Sequence, residues 1–292
     1  MSEPTGLLII DKPAGLSSFD VVRRVRRIGK TRKVGHTGTL DPDATGLLAI
    51  CLGRCTKLAK FIVLDDKWYR FTLRFGAATT TDDSSGEVIR EAKFEGITRA
   101  GLEAILPEYI GCIEQVPPVY SALRINGKRA YEMARAGEEV KMKARQIRVD
   151  DIQVIDFSLP EATLEVRCGP GTYVRSLARD FGERLGSAAH TTAIRRLAVG
   201  PFSLDQAVSL DELQEDNFVD HLLSPLEMVK SLKLYELGPE EVEKFKLGQP
   251  LSLSAGEVGT FGAAHYEQEL IAIVEVRQKE DQLFLWPRRV MI

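Results

Sequence analysis

Residues 6–10, Gly-Leu-Leu-Ile-Ile, are almost wholly apolar and run into Asp11-Lys12-Pro13-Ala14-Gly15, a turn by composition, so they predict a short strand. Ser17 or Ser18 then caps a helix to about Arg27, in which Phe19, Val22 and Val25 recur at helical spacing opposite a face of arginines. A second apolar run, Leu47 to Leu52, follows a polar loop and leads to a helix expected over 57–64. Residues 68–75 alternate, with Tyr69, Phe71, Leu73 and Phe75 on one side, the pattern of a half-buried strand. Helices are expected over 98–106 and 128–136, strands over 147–159 and 162–168, and a helix over 173–185 with Val174, Leu177, Phe181 and Leu185 on its apolar stripe. Residues 79–87, Thr-Thr-Thr-Asp-Asp-Ser-Ser-Gly-Glu, carry no period and predict an exposed loop, while 209–230 predict an acidic helical zone. From about Leu232 the pattern changes to a short helix (239–247) and glycine-punctuated strands (270–276 and 282–286). The expected division is therefore a large domain over 1–231 and a small β-rich module over 232–292.

Composition narrows the class. A hydrophobic content of 44% and a charged content of 28% are those of an ordinary globular protein with a sizeable core. No apolar run reaches the roughly 18–20 residues of a membrane span. Ser2, Glu3 and Pro4 open no signal peptide, so a cytoplasmic protein without membrane partners is expected. Cys51, Cys55, Cys112 and Cys168 are scattered with no Cys or His cluster beside them, so they read as reduced thiols and no metal site is expected. The net charge of −3 hides two basic clusters. One holds Arg23, Arg24, Arg26, Arg27, Lys30, Arg32 and Lys33 without an acid; the other spans Arg124 to Arg148 and is interrupted by Glu132, Glu138 and Glu139. Solvated helix faces look similar, but the first cluster runs directly into the polar loop, which points to an extended anionic ligand.

That loop, residues 35–48, reads Gly-His-Thr-Gly-Thr-Leu-Asp-Pro-Asp-Ala-Thr-Gly-Leu-Leu. Its glycines, threonines and proline forbid a regular helix or central strand, and it presents one imidazole, His36, and two carboxylates, Asp41 and Asp43. Asp41 suits catalysis or the cap of a short helix starting at Pro42. The segment also fits the Asp-x-Asp-x-Thr pattern of magnesium phosphotransferases, but that chemistry needs a buried strand before the first aspartate, which Gly35 to Thr39 cannot supply. A second constellation, Gly169-Pro170-Gly171-Thr172-Tyr173-Val174-Arg175, sets Arg175 at a helix start, where the macrodipole disfavours a cation. A cation placed there implies a partner, and Asp41 is a candidate. Tyr69, at the head of an alternating strand, reads by itself as a core aromatic, and Arg195 and Arg196 alone signify little.

Taken together, these segments resemble the bacterial tRNA pseudouridine synthases of the TruB type. The resemblance rests on residues 6–18, Lys33 to Pro42, Asp66 to Arg70, Gln115 to Ala122, Gly171 to Ser176 and His190 to Leu197, in the family's order and reaching to about residue 230. It implies an α+β fold: a central mixed, largely antiparallel sheet flanked by helices, with a small C-terminal PUA-like barrel. It implies isomerisation of uridine to pseudouridine at position 55 in the T loop of tRNA, by base flipping. Asp41 matches the aspartate on which the reaction depends, Tyr69 the tyrosine that stacks on the target base, and Arg175 the arginine paired with the aspartate. His36 matches a histidine at the RNA, Tyr173 and Ile194 fall where the uridine pocket is lined, and Lys57 and Arg196 fall with them. Isoleucine at 194, often leucine in the family, conserves volume. The carboxylate could attack C1′, add at C6 or deprotonate the ribose; the sequence leaves these open. Neither redox change nor hydrolysis occurs, so no cofactor or metal is expected. A monomer with no obligate protein partner is expected. The alternative is a non-catalytic tRNA-binding or tRNA-folding factor on the same scaffold.

Overall fold

The computed structural model describes residues 3–59, 66–125 and 127–292. Ten strands form one mixed sheet, in which Val208–Ser209, Gly6–Lys12, Thr45–Leu52, Ala189–Val199, Lys67–Phe75, Glu161–Cys168, Arg145–Ser158 and Gly111–Gln115 lie side by side. Val34–His36 pairs with Thr45–Leu52, and Phe202–Ser203 with Ala189–Val199. Two pairings are parallel: Gly6–Lys12 with Val208–Ser209, and Thr45–Leu52 with Ala189–Val199. The rest are antiparallel, as expected.

The two strands with continuous apolar runs are covered on both faces, which is why they do not alternate. Leu8, Ile10, Leu48 and Ile50 pack under Val21, Val22 and Val25 of the helix Ser18–Ile28. Leu7, Ile9, Leu47 and Ala49 point the other way, into a cluster completed by Ala263, Leu270, Ile273 and Met291. Those four belong to the C-terminal part, where a second sheet orders Lys233–Glu236, Phe261–Tyr266, Glu269–Lys279, Gln282–Val290 and Leu251–Leu253 into a curled, PUA-like half-barrel. A third cluster sets Phe71, Leu73, Leu164 and Val149 against Leu177 and Phe181 of the helix Val174–Arg184 and Leu102 of the helix Arg99–Ile105. Among the described residues, no helix is long and apolar enough to cross a membrane.

Several local expectations change. Ser17 caps the first helix through a reciprocal box with Asp20, yet Phe19 lies outside its buried face, at 57% exposed. No helix starts at Pro42; a turn closes from the Ala44 amide to the Asp41 carbonyl, and the strand begins at Thr45. Gly53–Lys57 is a short 3-10 turn, and the remainder of the helix expected over 57–64 lies largely outside the described residues. In 128–136 a two-residue strand precedes the helix Ala130–Arg135. The acidic zone 209–230 is turns with one 3-10 helix, Glu227–Val229, because its side chains bond their own backbone. Asn217, for example, accepts from the Gln214 amide and donates to the Glu212 carbonyl. This segment folds over the arginine-rich helix, pairing Asp211 with Arg24 and Glu215 with Lys30 and burying Phe218.

Gly46 sits where Thr45–Leu52 runs beside Ala189–Val199, paired with Arg196 at φ +99°. A Cβ there would collide with the Arg196 carbonyl. Gly46→Ala is therefore expected to cost about 2 kcal/mol or more, read as a lower denaturation midpoint.

Candidate active site

The polar loop is held rigidly over the centre of the sheet, between the strands Val34–His36 and Thr45–Leu52. Buried Ser18 brackets the residue before Asp41: its hydroxyl accepts from the Leu40 amide at 2.9 Å and donates to the Leu40 carbonyl at 3.0 Å. Lys12, fully buried at the end of the first strand, donates to the carbonyls of Pro13, Leu16 and Pro42 at 2.8, 2.7 and 2.9 Å. Burial pulls its ammonium down to about 8, against the pull of Asp43 and Asp41. Arg196 is 2% exposed and spends its donors on the loop's backbone, Nε on the Leu47 carbonyl at 2.7 Å and Nη2 on that of Gly38 at 3.1 Å. Expected at the RNA, Arg196 is instead buried beneath the loop, where it fixes the loop's path.

Asp41 meets Arg175 across the cleft, Oδ2 to Nε 3.1 Å. Arg175 follows the helix-starting Tyr173, whose amide and carbonyl are both gripped by the Gln115 side chain, at 2.8 and 3.1 Å. Its guanidinium is buried, and each of its three nitrogens has a partner. Nη1 donates to the Thr81 carbonyl at 2.8 Å and meets Asp83 at 3.1 Å, and Nη2 donates to the Tyr120 carbonyl at 2.9 Å. One residue before Asp83, Asp82 pairs with Arg179 at 2.8 Å. The loop expected to be free in solvent is thus strapped to the helix by two ion pairs. Asp83 was missed because a polar stretch without a period looks the same whether water or an arginine satisfies it.

The Asp41 side chain is 42% exposed because it faces an open cleft of about 1240 Å³; protein surrounds it elsewhere. Burial raises its carboxyl above the ordinary aspartate value, Arg175 pulls it down, and the charge of Asp83 pushes it up. Burial is the largest of these, and the net shift is upward. Asp43 is exposed on the cleft wall.

Tyr69 and Ile194 are diagonal neighbours on adjacent strands, paired as Tyr69 with Arg196 and Phe71 with Ile194. Both are partly buried where two core clusters meet, and Ile194 reaches the cleft. The Arg196 guanidinium lies 6.0 Å from the Tyr69 ring centroid. Burial raises the phenols of Tyr69 and Tyr173, and in both the Asp41 charge adds to the rise. His36 lines the cleft; burial first and Arg196 second lower its basicity, leaving a neutral imidazole at pH 7. The structure therefore brings Asp41, Arg175, Ile194 and His36 to one cleft, with Tyr69 diagonal to Ile194 on the neighbouring strand and Tyr173 two residues before Arg175. Lys57 does not join them: it is exposed at the opposite end of the strand Thr45–Leu52 from Asp41 and does not line the cleft.

A carboxylate held by a buried arginine at an open cleft, with Arg129 and Arg135 also in its lining, has the chemistry of a catalytic centre. Comparison with known proteins narrows that chemistry. Residues 26–174 match the model of the TruB family pseudouridylate synthase N-terminal domain, and 175–230 that of the tRNA pseudouridylate synthase B C-terminal domain. The chain belongs to the TruB family of pseudouridylate synthases. It is 40% identical over 285 residues to the tRNA pseudouridine synthase B of Thermobifida fusca, covering 95% of this chain and 96% of that one. Identity to the protein of the same name from Cupriavidus pinatubonensis is 44% over 256 residues, 86% of this chain and 81% of the relative. Among solved structures, an H/ACA RNP bound to a substrate RNA containing 2'-deoxyuridine contains a chain of the same fold, with a TM-score of 0.77 at 20% identity, covering 99% of this chain and 86% of that chain.

Proposed function

We propose that this chain isomerises uridine to pseudouridine in the T loop of tRNA, at position 55. The observation that carries the reading is the Asp41–Arg175 ion pair beside Tyr69 at the head of an open cleft. The reaction breaks the C1′–N1 bond, turns the base and rejoins it through C5; the C5 proton leaves to solvent and N1 gains one. None of these atoms is reachable in a stacked nucleotide, so the base must leave the stack. Tyr69 and Ile194 offer a flat apolar surface to replace the lost stacking, worth about 1–3 kcal/mol. Neutral His36 stands on the RNA side, and Tyr173 closes the pocket. Arg175 keeps the Asp41 carboxylate charged and aimed as the cleft loses water. Arg196 and Lys12 act behind the loop as positioning residues, and Lys57 has no part in the pocket.

We assign residues 1–231 to catalysis and 232–292 to RNA binding; the curled second sheet supports this division. We infer further that the enzyme works as a monomer without an obligate protein partner, since Asp41, Arg175 and Tyr69 already supply a carboxylate, its counter-charge and an aromatic face. Relatives carrying the same enzyme name support tRNA as substrate.

The test is tritium release from tRNA transcribed with C5-labelled uridine. Release from the wild-type transcript, and none when only position 55 is unlabelled cytidine, is the expected result. Tight tRNA binding without release would instead identify a tRNA-folding factor.

A further inference from the structure

A second aromatic surface stands on the wall of the same cleft. Phe19, in the first turn of the helix Ser18–Ile28, is 57% exposed. Single exposed apolar residues are common, so exposure alone assigns nothing. Its surroundings are more informative. Phe19 lines the cleft that holds Asp41, His36 and Arg175. The guanidinium carbons of Arg23 and Arg26 lie 6.0 and 5.8 Å from its ring centroid. The same two arginines, with Arg27, Lys30 and Arg32, line a second hollow of about 630 Å³. A path thus leads from the carboxylate, across one aromatic ring, onto a cationic surface.

The cations along that path are not equally free. Arg23 pairs with Asp20, Arg26 donates to the Val34 carbonyl, and Lys30 pairs with Glu215. The side chains of Arg27 and Arg32 make no ion pair or hydrogen bond among the described residues. They remain available to an outside anion.

We propose that Phe19 is a second stacking platform: it receives a base adjacent to the reacting uridine, and Arg27 and Arg32 take the phosphates beyond it. The inference rests on the isomerase reading above. Extruding one nucleotide from a loop unstacks its neighbours, and an aromatic face recovers that loss without regard to base identity. Neighbouring guanidinium groups supply the phosphate attraction that makes such contacts salt-dependent. Phe19 is therefore a binding residue that acts before the chemical step.

The experiment uses the full chain and a synthetic T stem-loop. Phe19→Ala and Phe19→Leu are expected to raise KM about tenfold, the ratio given by about 1.4 kcal/mol of lost stacking, with kcat changed less than about twofold. Phe19→Tyr should restore the wild-type KM. Because the ring is exposed, these variants leave no void in the core. Stem-loops carrying an abasic nucleotide at each loop position in turn then locate the contact. At one position next to the reacting uridine, wild-type KM should rise to that of Phe19→Ala, and Phe19→Ala should add nothing further. A wild-type KM for Phe19→Leu, or a Phe19→Ala penalty that persists on every abasic loop, overturns the proposal. Absence of turnover by the wild-type protein would overturn the isomerase reading itself, a result distinct from turnover that ignores Phe19.

Discussion

Asp41→Asn is expected to abolish tritium release while leaving tRNA affinity within about threefold and the fold at least as stable as wild type. Removal of a general base costs about 10²–10⁴ in rate, and removal of a nucleophile can reach about 10⁶. A residual rate below one part in about 10⁴ would therefore favour covalent attack by Asp41. The stability half of the prediction follows from the sign of the titration shift. Burial raises the Asp41 carboxyl in the folded state, so the fold holds that proton to higher pH than the unfolded chain does. Ionising Asp41 consequently destabilises the fold as pH rises through the window between the ordinary aspartate value and the raised one. Asparagine supplies the neutral form at every pH, so Tm at pH 7 should hold or rise. The same shift places the acid limb of kcat/KM above the ordinary aspartate range near about 3.9. A Tm well below wild type would show that the charge is structural and that the loss of turnover is secondary.

The sheet was legible because burial writes a period into the chain. Tyr69, Phe71, Leu73 and Phe75 alternate since one side of their strand is packed against helices, and residues 6–10 do not because both sides are covered. The central loop was legible for a different reason: glycine, threonine and proline at such density exclude regular structure, and Arg175 at a helix start demanded a partner. Its pairing with Asp41 supplies one at 3.1 Å. What escaped the sequence is polar structure satisfied across long chain separations. Asp82 and Asp83 look like solvent-facing turn residues until the arginines of a helix some ninety positions away meet them. Lys12 is similar, a lysine in a turn-like string whose ammonium is fully buried among three carbonyls. The acidic zone 209–230 has helix-forming glutamates, but Ser209 and Asn217 offer its backbone local alternatives, and Phe218 is drawn under Gly29. Lys57 follows the end of Thr45–Leu52 that points away from Asp41, so the direction of the strand separates it from the cleft, which its place in the chain alone does not reveal.

Arg175 should be the most demanding position in the molecule, and two substitutions separate its charge from its shape. Arg175→Met leaves Asp41 and Asp83 as neighbouring like charges and strands the carbonyls of Thr81 and Tyr120 without their donor. Breaking a buried ion pair by removing one partner costs about 3–5 kcal/mol, so a clear fall in Tm is expected alongside loss of turnover. Any activity that survives should show an acid limb displaced upward, since the largest influence lowering the Asp41 carboxyl is gone and Lys12 is left alone against burial and Asp83, which continue to raise it. Arg175→Lys keeps the charge but presents a single ammonium on a flexible stem in place of a planar fork. It cannot span Asp41, Asp83 and two carbonyls whose directions are set by separate loops. The limb should therefore return toward the wild-type position while kcat remains at least about 10²-fold low, because orientation of the carboxylate, and no longer its ionisation, limits the reaction. Wild-type kcat in Arg175→Lys would refute the positional argument and leave Arg175 as a counter-charge alone. Asp83→Asn supplies the complementary measurement: it removes the like charge that raises Asp41, so the acid limb should move down while the Arg175–Asp41 pair stays in place.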